Sequence, residues 1–190
     1  MGSAAIQLGT ALGARVIATA GSDEKLRVCR ELGADLAVNY TTDDVGEAGL
    51  GGTAGRGVDV VCDLVGGDTT VRTFPCVALG GRYVLAGFSG GIGAEDSGIV
   101  PRPILFGNFD VCGVMLSYRS DPAAVKRASG FNMFSRADGE RVHRHLCDLL
   151  DAGSIRTVVG RTAPWTDLPA ELAHLASRAT VGRTVIDWRA

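Results

Sequence analysis

The sequence predicts an α/β fold built on a doubly wound parallel sheet. Three observations carry that reading. Apolar runs of strand length alternate with segments of helical spacing, glycine follows nearly every strand, and Arg15–Leu26 (RVIATAGSDEKL) reads as strand, tight turn and helix start. Val16, Ile17 and Ala18 have the β-branched and small apolar character that a strand buried on both faces needs. Gly21 permits the turn, Ser22 or Asp23 caps the next helix, and Glu24 puts negative charge in its first turn, where the helix dipole is positive. In a dinucleotide-binding unit the residue ending this strand meets the adenosine ribose, and an Asp or Glu there binds both ribose hydroxyls of NAD. Ala20 stands there instead. A 2′-phosphate has no acid to repel it and finds the Ser22 hydroxyl and the Lys25 charge at hand, so the residues lean towards NADP. The plainer alternative is a helix cap beside a solvated lysine.

One domain fits 190 residues, and 46% hydrophobic with 21% charged residues excludes disorder. A net charge of -2 with scattered arginines argues against a nucleic-acid partner, and no apolar run is long enough to cross a membrane. The opening MGSAAIQLG lacks the basic stretch of a secretory signal, so a cytoplasmic location is expected. Five cysteines with no CxxC pair read as reduced, mostly buried thiols.

Ser3–Leu12 has one apolar helical face, with Gly13 suited to the left-handed closing position. Gly9 costs that helix about 1 kcal/mol relative to alanine, which a close approach to a strand explains. After the strand at 15–20, residues 24–32 form a helix with Leu26, Cys29 and Leu32 inward, closed by Gly33. Residues 34–39 form a third strand, with Tyr40 at its carboxyl end. Residues 41–57 read as a short helix, then loop, and 58–64 as an apolar strand followed by Gly66-Gly67. Asp68 caps a helix through about Ala78, and Gly80-Gly81 lead into a strand at 82–86 that ends in Gly87. Loop is expected from Phe88 to Pro103. A strand at 110–116 follows, then a helix capped by Asp121 with Pro122 first, and a helix at 138–152. A small strand at 158–159, a helix at 168–178 and a strand at 184–188 close the chain.

Taken together, GSAAIQLGTALGARVIATAGSDEKL, ELGADLAVNY, VDVVCDLVGG, LGGRYVLAGF and SRATVGRTVI resemble the cofactor-binding half of the medium-chain dehydrogenase/reductase superfamily, over nearly the whole chain. The branch it resembles most is the zinc-independent NADPH:quinone oxidoreductases, which include the zeta-crystallins. The resemblance implies a Rossmann-type fold and places Ser22, Lys25 and Tyr40 at the adenosine 2′-phosphate. It places Gly66 near adenine and ribose, and Gly87 and Phe88 near the nicotinamide ribose. Val114, Met115 and Leu116 fall where the family's backbone meets the carboxamide. Of the family's phosphate loop the chain keeps Gly2; the first strand, most of that loop and an upstream substrate domain are absent, so Met1 looks like a truncated or misassigned start. Residues 1–190 then form one amino-terminally truncated dinucleotide-binding domain. The resemblance also implies a homodimer joined through the strand at 110–116, an apolar edge with few protecting charges.

No catalytic residue is assigned. His143 and His145 diverge on a helix, His174 lies among apolar residues, and no cysteine or histidine spacing makes a metal site. Two functions stand: an NADP-dependent oxidoreductase acting on a small quinone, enone or carbonyl substrate, of which this chain is the cofactor-binding domain, or a non-catalytic remnant serving as a dimerisation or interaction module. For a chain without the first strand, three outcomes are open: direct pairing of its neighbours, a strand borrowed from a partner, or a wet groove.

Overall fold

The computed structural model describes residues 1–91, 93 and 98–189. In chain order its elements are α1 (Gly2–Ala11), β1 (Ile17–Ala20), α2 (Asp23–Glu31), β2 (Leu36–Asn39), α3 (Val45–Gly51), β3 (Val58–Asp63), α4 (Asp68–Thr73) and β4 (Val77–Leu85). They continue with α5 (Pro101–Gly107), β5 (Asp110–Gly113), β6 (Tyr118–Arg119), α6 (Pro122–Ser129), β7 (Phe134–Ser135), α7 (Arg136–Asp151), β8 (Val159–Pro164), α8 (Leu168–Ala176) and β9 (Arg183–Asp187). Every strand pairing is parallel, as the alternation of strand and helix predicts.

The pairing is divided. β1 pairs with β2, and β3, β4 and β5 form a second sheet in that order, while β6–β7 and β8–β9 are separate pairs. Among the described residues β1 and β3 do not pair, so direct closure between them is not the outcome seen. Val60 on β3 is 60% exposed.

Each sheet has its own core. Ile6 of α1 and Leu26 and Cys29 of α2 pack with Ala18 and Ala20 of β1, and Gly9 lets α1 come close: a Cβ there would sit 3.0 Å from a Val16 methyl. Gly13 and Gly33 have φ of +80° and +103°, the left-handed conformation expected of residues that close helices. On the other sheet Phe74 meets Tyr83 edge-on at 4.9 Å and Phe109 at 5.3 Å, around a Tyr83 that is fully buried.

Several boundaries differ from expectation. α4 stops at Thr73, and Pro75, which lacks an N–H, lies in a 3₁₀ turn over Phe74–Cys76. β4 therefore starts at Val77, and Gly80-Gly81 lie inside it, where the register with β3 shifts and Gly80 takes φ +71°. The stretch expected as loop to Pro103 holds the start of α5, with Pro101 in the first turn, where a missing N–H costs nothing. Residues 92 and 94–97 of that stretch lie outside the described residues. β5 ends at Gly113, not Leu116, because its partner β4 ends at Leu85; Val114 N–H makes a last bond to the Leu85 carbonyl and the chain turns away. α7 is capped by Ser135, and Asp138, expected at its start, is the reciprocal partner in a capping box. Cys29 and Cys76 are buried, Cys62 is exposed, and Cys112 and Cys147 are half-buried, so the thiols are free but not mostly interior.

Candidate cofactor site

The turn after β1 gathers three of the residues singled out from sequence. Ser22 is the N-cap of α2, in extended conformation, with its Oγ accepting the Lys25 N–H at 3.4 Å. Tyr40 follows β2, donates its N–H to the Ala20 carbonyl at 3.2 Å, and lays its ring over Gly21. A Cβ on Gly21 would fall 2.6 Å from the Tyr40 hydroxyl oxygen, so that ring position requires glycine. The Lys25 ammonium donates to the Arg178 carbonyl, 153 residues away in sequence.

Arg178 is the residue that sequence reasoning missed. It lies just past α8 with φ +59°, and its guanidinium donates to the Gly90 carbonyl at 3.2 Å. It thus links the turn after β1 to the loop after β4. A lone arginine after a helix reads as surface charge; a contact made across so much chain has no local signal.

The second group surrounds Leu64. Gly2 opens α1, and a Cβ on it would lie 3.9 Å from a Leu64 methyl; one on Gly87 would lie 3.3 Å from the Leu64 carbonyl. Gly66, with φ +75°, occupies the turn beyond β3, next to Gly67 at +64°. Phe88 is 42% exposed beside Gly87. Val114, Met115 and Leu116 are exposed past the end of β5, and the Val114 N–H donates to the Leu85 carbonyl, two residues before Gly87.

Beneath the β3 turn lies a buried carboxylate. Asp63 Oδ1 accepts the Val65 and Gly66 N–H groups at 2.8 and 3.0 Å; Oδ2 accepts the Thr70 and Tyr83 hydroxyls at 2.6 and 2.9 Å. Burial pushes this carboxyl up, but the bonds from Thr70, Gly66, Val65 and Tyr83 together outweigh it and hold Asp63 below the ordinary carboxylate range. Burial, and then the negative Asp63, push Tyr83 up, so the phenol stays a donor. Because the folded value of Asp63 is depressed, its contribution to stability is complete above the unfolded value of about 4 and is lost as pH falls through the folded value. In urea unfolding, the stability gap between wild type and Asp63→Asn is therefore expected to shrink below about pH 4; a gap constant from pH 7 to 3 would contradict this.

His143 and His145 do not converge; His143 Nε2 lies 3.7 Å from Cys147 Sγ, one turn along α7. Among the described residues no three His, Cys, Asp or Glu side chains come together as a metal site.

Residues 1–129 match the family model described as zinc-binding dehydrogenase. The chain belongs to that family. Within the medium-chain dehydrogenase/reductase superfamily it is quinone oxidoreductase-like. It is 30% identical over 179 residues to quinone oxidoreductase-like protein 2 of Bos taurus, covering 94% of this chain and 47% of that one. It is 30% identical over 192 residues to quinone oxidoreductase 1 of Escherichia coli, covering 98% and 53%. The structure of Escherichia coli quinone oxidoreductase complexed with NADPH superposes with a TM-score of 0.77 at 28% identity, covering 97% of this chain and 53% of that one. The chain thus spans about half the length of the curated relatives it matches. The family's description names zinc, but the described residues bring together no three-ligand set, so they do not fit a zinc centre. No helix described is long and apolar enough to cross a membrane.

Proposed function

We propose that this chain is the dinucleotide-binding domain of an NADP-dependent oxidoreductase that reduces a quinone, enone or similar carbonyl compound. The observation that carries the reading is the cluster after β1: an Ala20 where an acid would bind the ribose of NAD, with Ser22, Lys25, Tyr40 and Arg178 gathered around the turn. Bound there, the nicotinamide nucleotide supplies the hydride. The protein's part is to hold it. Lys25 and Arg178 provide cationic donors for a 2′-phosphate, and the Tyr40 ring borders the adenosine. Gly66 and Gly87 leave the carboxyl edge of β3 and β4 open to close approach, beside Phe88 and the Val114–Leu116 backbone. Grafting the chain onto the substrate-binding half of Escherichia coli quinone oxidoreductase 1 tests the reading. A folded chimera is expected to oxidise NADPH in the presence of quinone; a folded chimera that does not would contradict it.

The free side of β3, and the apolar residues Leu150 of α7 and Leu172 and Leu175 of α8, each about half exposed, favour the second reading of an interaction module. In that case the graft stays inactive while a partner covers those faces.

A homodimer through β5 belongs to the same proposal. Among the described residues β5 pairs on one side only, and Leu105, Phe106, Met115 and Leu116 around it are 60–72% exposed. Light scattering at tens of micromolar is expected to give twice the chain mass for wild type and the single mass for Val111→Lys; a monomeric wild type would contradict it.

A further inference from the structure

We infer that Asp63 is a positioning residue that sets both loops at the carboxyl edge of the β3–β4 sheet for cofactor, from the turn at Gly66 through Gly90 and Arg178 to Lys25. The inference rests on the cofactor reading above and assigns the carboxylate a task within it. Asp63 lies beneath the edge, 5% exposed, with four donors on its two oxygens. Two of those donors are the backbone amides of the β3 turn itself, so the carboxylate takes the place of sheet pairing where the strand ends. That turn in turn holds the next one. The Ala86 N–H donates to the Asp63 carbonyl at 2.8 Å, Ser89 to Leu64 at 2.9 Å and Gly90 to Val65 at 2.9 Å.

Gly90 then accepts from Arg178, whose own carbonyl receives Lys25. One continuous run of hydrogen bonds therefore joins a buried anion to the residues assigned to the 2′-phosphate. Thr70 and Tyr83 fix the carboxylate from α4 and β4, so each of its oxygens has one orientation. An amide at this position offers one oxygen in place of two, and its NH₂ cannot accept from a hydroxyl or a backbone N–H.

The test compares wild type, Asp63→Asn and Tyr83→Phe by amide hydrogen exchange and by titration with adenosine 2′,5′-bisphosphate, well below their unfolding temperatures. Asp63→Asn is expected to speed exchange at Val65, Gly66, Ser89 and Gly90 at least tenfold while α2 and β2 stay protected. It is also expected to weaken the bisphosphate at least tenfold. Tyr83→Phe, which leaves the carboxylate three of its four donors, should change both less. Exchange faster across the whole chain with unchanged affinity would mean a merely structural carboxylate and overturn the inference. Local exchange changes with unchanged affinity would overturn it too, leaving the cofactor reading intact. A wild type that does not bind the bisphosphate at all would overturn the cofactor reading and the inference with it.

Discussion

On its own, the 190-residue chain is expected to show no steady quinone-dependent oxidation of NADPH and to bind NADPH with a dissociation constant well above the micromolar range. The reason lies between β1 and β3. Among the described residues neither strand pairs with the other, so no sheet pairing ties the turn after β1 to the turn after β3. α1 has no acid and no side-chain cap in its first turn, and a helix dipole alone offers a phosphate only about 0.3 to 1 kcal/mol. Unpaired backbone groups cost on the order of 1 to 3 kcal/mol each when buried, enough for a few to rival the ~5 to 15 kcal/mol stability of a typical domain. Solvent reaching an unpaired strand edge spares a fold much of that penalty. The consequence falls on affinity instead. Cofactor fluorescence and quinone-dependent oxidation measure both quantities, and micromolar binding with steady turnover would contradict this account.

Lys25→Ala, in the active chimera, is expected to raise the NADPH dissociation constant roughly tenfold to a hundredfold and to leave NADH nearly unchanged. A charge-assisted contact to phosphate contributes on the order of 1.5 to 3 kcal/mol, which is that range of affinity. Lys25 is already held by the Arg178 carbonyl, which lowers the entropy lost when it meets a phosphate. Equal weakening of NADPH and NADH would remove the 2′-phosphate assignment. Arg178→Ala is expected to follow Lys25→Ala in direction, because it removes the second cation.

Much of this was legible in the sequence for local reasons. The Ser22 cap, the left-handed Gly13 and Gly33, the close approach at Gly9 and the Asp121-Pro122 helix start each depend on residues within a few positions of one another. What the sequence hid depends on distant partners. β5 is short because β4 ends at Leu85, and Gly80-Gly81 read as a turn because a register shift within a strand leaves the same glycine signature. Asp63 was visible as a polar residue ending a strand, but its four donors come from a turn, a helix and a neighbouring strand. Arg178 gave no local sign at all, since its role comes from Lys25 and Gly90.

The most direct test of the central claim, that the turn after β1 recognises a 2′-phosphate, uses ligands small enough not to need the pyrophosphate site. Amide resonances of the isolated chain are followed during titration with adenosine 2′,5′-bisphosphate and, separately, with adenosine 5′-monophosphate. The account predicts saturable shifts at Ser22, Lys25, Tyr40 and Arg178 with the bisphosphate, at least tenfold weaker with the monophosphate. Equal responses to the two ligands, or shifts confined to other parts of the chain, would contradict it.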